Sequence, residues 1–416
     1  MAFAYRDGAL YAEGLALQEI AQRFGTPCYV YSRAAIERAF GEFRAALAHR
    51  PSLVAYSVKA NSNLAVLALL ARLGAGFDIV SGGELARVLA AGGAAGTVLF
   101  SGVGKREAEI EQALRAGVLC LNLESEAELE RVDRIAAQLG VRAPVAFRVN
   151  PEVDPRTHPY VATGLRESKF GVAYADAPRL YREAARRAHV RPVGIGCHIG
   201  SQLLDPAPYA EAAAKIGGLA DALAAEGIAL SHIDLGGGFA IRYRDERPAP
   251  PGEFLARALA ALGERRQMLI VDPGRAIVGP AGVLLTRIEY VKPGGARNFV
   301  VVDAAMNDLL RPALYDAWHE VLPVRQPDAQ VREEIYDVVG PVCENADFLA
   351  RGRRLAPRAG ELLAVMNAGA YGMAMSSNYN SRPRAAEVMV SGAEAQLVRR
   401  RETVEELFAH ERAIAD

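Results

Sequence analysis

Cysteine is scarce in this chain of 416 residues, which contains 4 of them: Cys28, Cys120, Cys197 and Cys343. They are widely spaced and none belongs to a C-x-x-C pair, so we expect neither a disulfide framework nor a zinc site, and a reducing compartment fits. The N-terminus lacks a basic segment followed by an apolar run, and no apolar stretch reaches membrane-spanning length. We therefore expect a soluble, cytoplasmic protein with no membrane partner.

The chain also lacks an excess of charge of either sign. The chain has 48 basic and 49 acidic residues, well mixed, for a formal net charge of -1. This balance gives no indication of nucleic acid or an anionic membrane as the main partner. Only 5 of the basic residues are lysine, so a lysine in an unusual setting stands out. With 51% hydrophobic residues, the chain can bury a large core and form a second domain.

Short apolar runs alternate with helical patterns from about Ser32 to Arg275. Apolar strands separated by amphipathic segments indicate a parallel sheet covered on its outer face. Eight such units favour an α/β fold with a closed (β/α)8 TIM-type barrel, and a doubly wound open sheet is the alternative. The predicted strands are 53–57, 77–80, 97–100, 118–123, 145–149, 193–198, 232–235 and 268–272.

The pattern changes after Pro280. Runs such as 283–291 and 298–303 are rich in β-forming residues, and few long helices separate them, which indicates a mostly antiparallel β-domain. Near the N-terminus, Tyr5–Ala12 alternates around Asp7-Gly8 like a small hairpin that could join this domain. We predict a barrel over 33–277 and a β-domain formed by 1–32 and 278–416.

Polar residues and glycines cluster where the predicted barrel strands end. In a barrel of this type, the face at the carboxyl ends of the strands carries the active site, and the loops after the last strands commonly bind phosphate. Agreement among all of these positions is better support than any single motif. The residues are Lys59, Asp78, Ser101, Gly102, Asn122, Glu124, Arg148, His198, Gly236, Gly237, Gly238, Gly274 and Arg275.

Two glycine-containing loops are candidates for a phosphate site. The triple glycine at 236–238 could be only a tight turn, and the sequence DPGR at 272–275 could be a turn with a solvated arginine. Alternatively, bare backbone N–H groups at 236–238 can surround a phosphate without obstruction by side chains. Their position after neighbouring strands makes a joint phosphate site the better interpretation.

Lys59, in the sequence AYSVKAN, follows the first predicted barrel strand. Such a lysine is often only a surface side chain, but a partly desolvated lysine near other cations has a lowered pKa and can form a Schiff base. A lysine of this kind beside a phosphate site suggests pyridoxal 5'-phosphate, whose pyridine nitrogen needs an acidic partner. Asp272 is placed for that role. His198 could be a core histidine or could stack on the cofactor ring.

Several motifs together resemble those of the diaminopimelate decarboxylase family. The resemblance runs from about residue 25 to 395, and the set is highly specific in combination. The motifs are AYSVKAN, GAGFDIVSGGEL, FSGVGK, HPYVATGLRESKFG, GIGCHIGSQ, DLGGGF, DPGR, MNDLLRPALY, GPVCEN and GAYGMAMSSNYNSRP.

The resemblance implies a fold, an activity and an assembly. The fold is the barrel with a β-domain that alanine racemase shares. The activity is the decarboxylation of meso-2,6-diaminopimelate to L-lysine and CO2, the last step of lysine biosynthesis, with pyridoxal 5'-phosphate as cofactor. The assembly is a homodimer whose active sites are shared between chains, and the β-domain completes the active site and the dimer interface.

The resemblance also implies roles for individual residues. Lys59 is the Schiff-base lysine, Asp78 lies close to it, and His198 stacks on the cofactor ring. Cys343 donates a proton and reaches in from the partner chain. The residues implied around the phosphate are Ser201, Gly238, Gly274, Arg275 and Tyr371. Those implied to bind substrate are Arg275, Arg311, Tyr315, Glu344 and Tyr371.

One position departs from the family pattern. The family usually has glutamate where this chain has Asp272, so the carboxylate is shorter by one methylene and could hold the pyridine nitrogen less well. Two rival functions are a decarboxylase for ornithine, arginine or carboxynorspermidine, and a non-catalytic homologue that regulates a partner. The sequences RPALY and CEN argue against the first rival. The joint presence of Lys59, His198 and Cys343 argues against the second.

Overall fold

The computed structural model describes residues 2–154 and 169–414. They divide into two compact units. The first unit contains Met1–Arg38, Tyr243–Asp245 and Ile277–Asp416, and the second contains Ala39–Arg242 and Glu246–Ala276. In the described parts of the chain, no helix is both long and apolar enough to cross a membrane.

The chain begins with a small antiparallel sheet that belongs to the first unit. The predicted hairpin around Asp7-Gly8 is confirmed, because both residues have positive φ and the strands on either side pair antiparallel. Its third strand leads directly into a helix. The elements are β1 (Phe3–Arg6), β2 (Ala9–Ala12), β3 (Leu15–Ala16), α1 (Leu17–Phe24), β4 (Cys28–Ser32) and α2 (Arg33–Ala46).

Strands and helices alternate through the second unit. The strands are β5 (Ser52–Ser57), β6 (Gly76–Ile79), β7 (Val98–Phe100), β8 (Cys120–Leu123), β9 (Ala143–Asn150), β10 (Val172–Ala173), β11 (Val190–Gly196), β12 (His232–Asp234) and β13 (Met268–Val271). The helices are α3 (Leu64–Arg72), α4 (Gly82–Ala90), α5 (Glu107–Ala116), α6 (Glu126–Leu139), α7 (Ala177–Arg186), α8 (Ala207–Ala225), α9 (Pro251–Leu262) and α10 (Arg275–Val278).

These strands form a closed parallel barrel, as predicted. β5 to β9 and β11 to β13 each pair in parallel with the next one, and β13 pairs with β5, so the ring has no free edge. β10 adds a short pairing to the end of β9. Closure excludes the open doubly wound sheet. It also gathers all of the strand carboxyl ends on one face of the barrel.

Side-chain caps set where several barrel helices begin. The side chains of Asn63, Ser81 and Ser125 accept hydrogen bonds from backbone N–H groups in the first turns of α3, α4 and α6. Gly117 and Gly140 adopt left-handed conformations that end α5 and α6. The helices α3, α4 and α6 begin three to seven positions after the strands that precede them, and Lys59 and Glu124 lie in the connections between.

The first unit contains a larger, mostly antiparallel sheet, as predicted. Its order is β18-β17-β15-β14-β4-β20-β21, with β19 joining β14 to β16, and two of its pairings, β15 with β17 and β4 with β20, are parallel. Its elements are β14 (Gly282–Lys292), β15 (Asn298–Val302), α11 (Arg311–Tyr315), β16 (Val321–Pro323), β17 (Glu334–Val339), β18 (Phe348–Leu355), β19 (Leu362–Val365), β20 (Ala386–Ser391), β21 (Glu394–Arg399) and α12 (Val404–Leu407).

Candidate active site

Lys59 lies in a single 3-10 turn, Val58–Ala60, that directly follows β5. Its side chain is 42% exposed, and its Nζ lies 3.5 Å from Oδ2 of Asp78, whose side chain is 3% exposed. The amine is therefore accessible at the carboxyl-end face of the barrel, and an anion lies beside it.

A short chain of hydrogen bonds fixes the carboxylate of Asp78. Ser101 Oγ donates to Asp78 Oδ1 at 2.6 Å, and Ser57 Oγ lies 3.3 Å from Oδ2. Asn122 Nδ2 in turn donates to Ser101 Oγ at 3.1 Å. These residues belong to β5, β8 and the end of β7, so neighbouring strands jointly orient the group that faces Lys59.

Two more aspartates, Asp234 and Asp272, have pKa values raised by burial, and the charge of Asp78 contributes to both shifts. Burial raises the pKa of Asp272 well above its ordinary value, and the charges of Asp78 and Asp234 raise it further. Burial also raises the pKa of Asp234, and the charge of Asp78 adds to the effect. Sequence reasoning named Asp272 but missed Asp234. The signal was a carboxylate near the end of a predicted barrel strand, 232–235, where burial of a charge is costly.

His198 lies two residues beyond the end of β11 at Gly196, so the prediction that it ends a strand is corrected. The reason is that the register with β12 ends at Gly196 and Asp234, the last residue of β12, to which the N–H of Cys197 still donates. The N–H of Gly237 donates to His198 Nδ1 at 3.2 Å, which leaves the ring proton of a neutral imidazole on Nε2. Burial lowers the pKa of His198 well below its ordinary value, with smaller contributions from Arg148 and Lys59. Both observations indicate a neutral ring.

Close backbone packing requires glycine in the two predicted phosphate loops. A Cβ on Gly238, whose φ is +93°, would lie 2.3 Å from the carbonyl oxygen of Gly200. One on Gly237 would lie 2.6 Å from Asp272 O, and one on Gly274 would lie 2.9 Å from the Cβ atoms of Ala60 and Ser57. Side chains are therefore excluded from both loops at the carboxyl-end face.

Arg275 and Ser201 approach each other at this face. Arg275 Nη2 donates to Ser201 Oγ at 3.1 Å, although the two residues are far apart in sequence. Arg275 begins the short helix α10, and Ser201 lies in the segment after β11. A guanidinium, a hydroxyl and glycine loops are the groups that bind a phosphate.

Arg148 and Glu124 hold loops in place at the same edge. Arg148 lies within β9, two residues before its end, so its predicted position at the strand end is corrected; the strand extends further because β9 continues to pair with β10. Its Nη1 lies 3.7 Å from Glu124 Oε1. The Glu124 carboxylate also accepts from the N–H groups of Gly102 and Gly171, at 3.2 and 2.6 Å.

The other candidate residues belong to the first unit. Arg311 begins α11 and is buried, with 7% of its surface exposed, whereas Tyr315 at the end of that helix is 51% exposed. Cys343 and Glu344 lie in an exposed loop after β17. Tyr371 has a positive φ of 56°.

The segment that contains Tyr379 and Asn380 holds the Cys343 loop. Asn380 Oδ1 accepts from the Cys343 N–H at 2.8 Å, and Tyr379 Oη donates to Glu344 Oε1 at 2.5 Å. Sequence reasoning quoted both residues within a motif but gave them no role. They bond to residues more than thirty positions away, and no local pattern indicates such a pairing.

The residues at the barrel face fit pyridoxal 5'-phosphate. Its aldehyde needs a primary amine, which Lys59 presents next to Asp78. Its pyridine nitrogen needs an acid, and Asp272 is a carboxyl group whose environment favours the protonated form. Its phosphate needs donors without obstructing side chains, and the Arg275 guanidinium, the Ser201 hydroxyl and the glycine loops at this face meet that need.

Comparisons with known proteins agree with this geometry. Residues 33–279 match the family model described as pyridoxal-dependent decarboxylase, pyridoxal binding domain. A diaminopimelate decarboxylase from Pseudomonas aeruginosa is 57% identical over 98% of this chain and 98% of its own length. The crystal structure of diaminopimelate decarboxylase from Helicobacter pylori complexed with L-lysine is 41% identical, with a TM-score of 0.92 over 95% of this chain and 99% of that one. The enzyme from M. jannaschii in co-complex with L-lysine is 34% identical, with a TM-score of 0.94 over 99% of this chain and 98% of that one. The chain therefore belongs to the pyridoxal-dependent decarboxylases and, among them, to the diaminopimelate decarboxylase family.

Proposed function

We propose that this chain is a carboxy-lyase that converts meso-2,6-diaminopimelate to L-lysine and CO2, with pyridoxal 5'-phosphate as cofactor. The observation that carries the proposal is the accessible amine of Lys59 beside Asp78, on the barrel face that also has the glycine loops. Membership in the diaminopimelate decarboxylase family is the basis for the choice of diaminopimelate as the substrate.

We assign the cofactor to residues of the barrel. Lys59 would hold it covalently, Asp78 would hold the lysine, and His198 would cover the ring with its neutral imidazole. Asp272 would share a proton with the pyridine nitrogen. Bound pyridoxal phosphate supplies an electron sink for the electron pair that is left on the α-carbon when CO2 departs. The groups assigned to the phosphate are Ser201, Gly238, Gly274, Arg275 and Tyr371.

The substrate carries a second amino-carboxylate at its far end, and the remaining residues match its charges. Arg275 and Arg311 are assigned to the carboxylate and Glu344 to the ammonium, because charge-assisted hydrogen bonds discriminate strongly. Tyr315 and Tyr371 complete the assigned set. Cys343 donates the proton that replaces CO2 on the α-carbon, and its sulfur is left as a thiolate. Its exposure and its hydrogen-bonded loop support this role.

We further assign residues 33–277 to the cofactor-binding domain, and residues 1–32 and 278–416 to a domain that completes the active site and a dimer interface. The chain would act as a homodimer in the cytoplasm, with the Cys343 loop completing the partner's site. The exposure of the Cys343 loop supports this assignment, because a residue that completes a partner's site must lie at the surface of its own chain.

A substrate panel tests the proposed function. The purified protein is incubated with pyridoxal 5'-phosphate and meso-diaminopimelate and, in parallel, with L-ornithine, L-arginine and carboxynorspermidine, while CO2 and amine products are measured. We expect L-lysine from diaminopimelate with a kcat/KM at least about 100-fold above the others, since a site with buried charges rejects ligands that leave them unpaired. Lys59→Ala serves as the inactive control. Faster turnover of ornithine or arginine than of diaminopimelate would show that the substrate assignment is wrong. If no compound yields CO2, the result would favour a regulatory homologue.

A further inference from the structure

Arg311 is held from the side by a histidine that sequence reasoning did not single out. The guanidinium Nη1 of Arg311 lies 2.8 Å from Nε2 of His319, and the side chain of His319 is fully buried. On the other side of the ring, His319 Nδ1 lies 2.8 Å from the backbone oxygen of Met366. All three residues belong to the first unit.

These two contacts decide where the imidazole proton sits. A guanidinium can only donate, so Nε2 of His319 must accept from Arg311. A carbonyl oxygen can only accept, so Nδ1 must carry the proton that points at Met366. His319 is therefore a neutral imidazole protonated on Nδ1. It orients Arg311 without adding a negative charge that would compete with an anionic ligand.

The imidazole is itself held on several sides. Tyr243 packs edge-on against the His319 ring with centroids 5.3 Å apart, and the Arg311 guanidinium lies 4.7 Å from the centroid of the same tyrosine. Arg353 Nη2 donates to the backbone oxygen of His319 at 2.8 Å, and Arg353 stacks 3.2 Å over Trp318. A ring fixed in this way presents its Nε2 lone pair in one direction.

We propose that His319 is a positioning residue that aims Arg311 at the carboxylate of the ligand and so contributes to selection of substrates that retain a carboxylate at the far end. The inference rests on the proposed function, which assigns Arg311 to that carboxylate. If His319 only filled the core, its substitution would change the binding of every ligand to the same extent. A positioning residue affects only those ligands that carry the carboxylate.

Two ligands of equal chain length separate these possibilities. L-lysine has an α-carboxylate, and 1,5-diaminopentane is the same chain without it. Dissociation constants for both are measured by titration calorimetry on the cofactor-loaded enzyme. In His319→Asn, the shorter amide can still donate to Met366 but cannot reach Arg311 as an acceptor. In His319→Gln, the longer amide can supply the acceptor oxygen. His49→Asn, on an exposed histidine, is the matched control.

We expect His319→Asn to weaken L-lysine binding by roughly tenfold and to leave 1,5-diaminopentane unchanged, since one hydrogen bond to a charged group is lost. The KM for diaminopimelate should rise by a similar factor while kcat changes less. His319→Gln should recover most of the L-lysine affinity. His319→Phe, which keeps a ring against Tyr243, should repeat the loss if the asparagine variant does not fold.

Equal weakening for both ligands, or none for either, would overturn the inference. The proposed function is judged separately, because wild-type turnover of diaminopimelate does not depend on any His319 variant. The tautomer can be measured in the wild-type enzyme as well. Nitrogen-15 NMR of the 7 histidines should show one ring whose proton stays on Nδ1, and a proton on Nε2 of His319 would also overturn the inference.

Discussion

Two lysines near the carboxyl ends of the barrel strands have opposite environments. Lys59 is 42% exposed and lies 3.5 Å from Asp78, whereas the side chain of Lys105 is 1% exposed and pairs with Glu128 at 2.8 Å. Lys105 also donates to the backbone oxygens of Gly102 and Asn122, so its three N–H donors are all used. A lysine engaged in this way has a structural role, and only Lys59 of the two is available to a ligand.

Borohydride reduction tests this difference between the lysines. Reduction of the loaded enzyme should fix the cofactor to Lys59, because a nucleophilic amine must be accessible and unprotonated. Peptide mapping by mass spectrometry should locate the label there. A label on Lys105 would show that the buried ion pair opens and that the site assignment is wrong. Lys59→Ala should bind no cofactor covalently.

The aspartates near Lys59 make the cofactor-free protein sensitive to pH. Folding raises the pKa of Asp272, so the folded state holds its proton more tightly than the unfolded chain does. Its contribution to stability is therefore fully present below the ordinary carboxyl pKa of about 4 and is lost as pH rises through the folded-state pKa. At neutral pH, burial of this group opposes folding.

Asp272→Asn should therefore raise the melting temperature of the cofactor-free protein near pH 7, and the gain should shrink toward about pH 4, where the wild-type carboxyl is protonated anyway. Thermal unfolding of both proteins across this range measures the effect. Asp272→Glu keeps an ionisable group and should show no comparable gain. A gain that is equal at both pH values would contradict the argument. With cofactor present, Asp272→Asn should lose most turnover.

At the element scale, the loop after β12 at the active face has no space for a side chain at Gly238. Gly238 has a φ of +93°, and a Cβ there would lie 2.3 Å from Gly200 O. Gly218, in the middle of α8, would meet nothing within 4 Å. Substitution by alanine should therefore have opposite effects on stability at these two glycines, and Gly218 serves as the matched control for Gly238.

Gly238→Ala should destabilise the protein by at least about 1–3 kcal/mol, because the new methyl group forces the backbone out of its conformation. It should also weaken pyridoxal-phosphate binding. Gly218→Ala should instead stabilise by about 0.5–1 kcal/mol, since alanine loses less backbone entropy in a helix. Denaturant unfolding and cofactor titration measure both effects. Unchanged cofactor binding in Gly238→Ala would mean that this loop does not hold the phosphate.

At the scale of the whole molecule, the proposed shared site has a consequence that mixing experiments can detect. Lys59→Ala should be inactive and Cys343→Ala severely impaired. When the two mutants exchange subunits at random, about half of the dimers are mixed. Each mixed dimer then has one site with both mutations and one with neither, so activity should recover to roughly a quarter of wild type.

Two controls make the mixing experiment decisive. Subunit exchange is verified by mass spectrometry of isotopically labelled chains. A mixture of Lys59→Ala with Asp78→Ala should not recover, because both residues belong to one barrel and every mixed site keeps one defect. Absence of recovery with Cys343→Ala, despite exchange, would place Cys343 within its own chain's site or give it a structural role.

The sequence by itself determined the barrel of the second unit, the β-rich character of the first unit, and the family. Periodicity and motifs are local properties, and eight predicted strands each overlap an observed barrel strand. The placement of Lys59 after β5 and of the glycines after β12 follows from the same local signals. Boundaries were less accurate near His198 and Arg148, because pairing with the neighbouring strand decides where a strand ends.

Only the tertiary structure decided which polar groups meet. The Ser101–Asp78 hydrogen bond and the contribution of Asp234 join residues from different strands of the ring, and no spacing in the chain encodes them. The same holds for His319 and Met366, which are 47 positions apart. The physical reason is that a buried polar group is tolerated only when a partner lies within hydrogen-bond distance, and that distance depends on how strands and loops pack rather than on their order in the sequence.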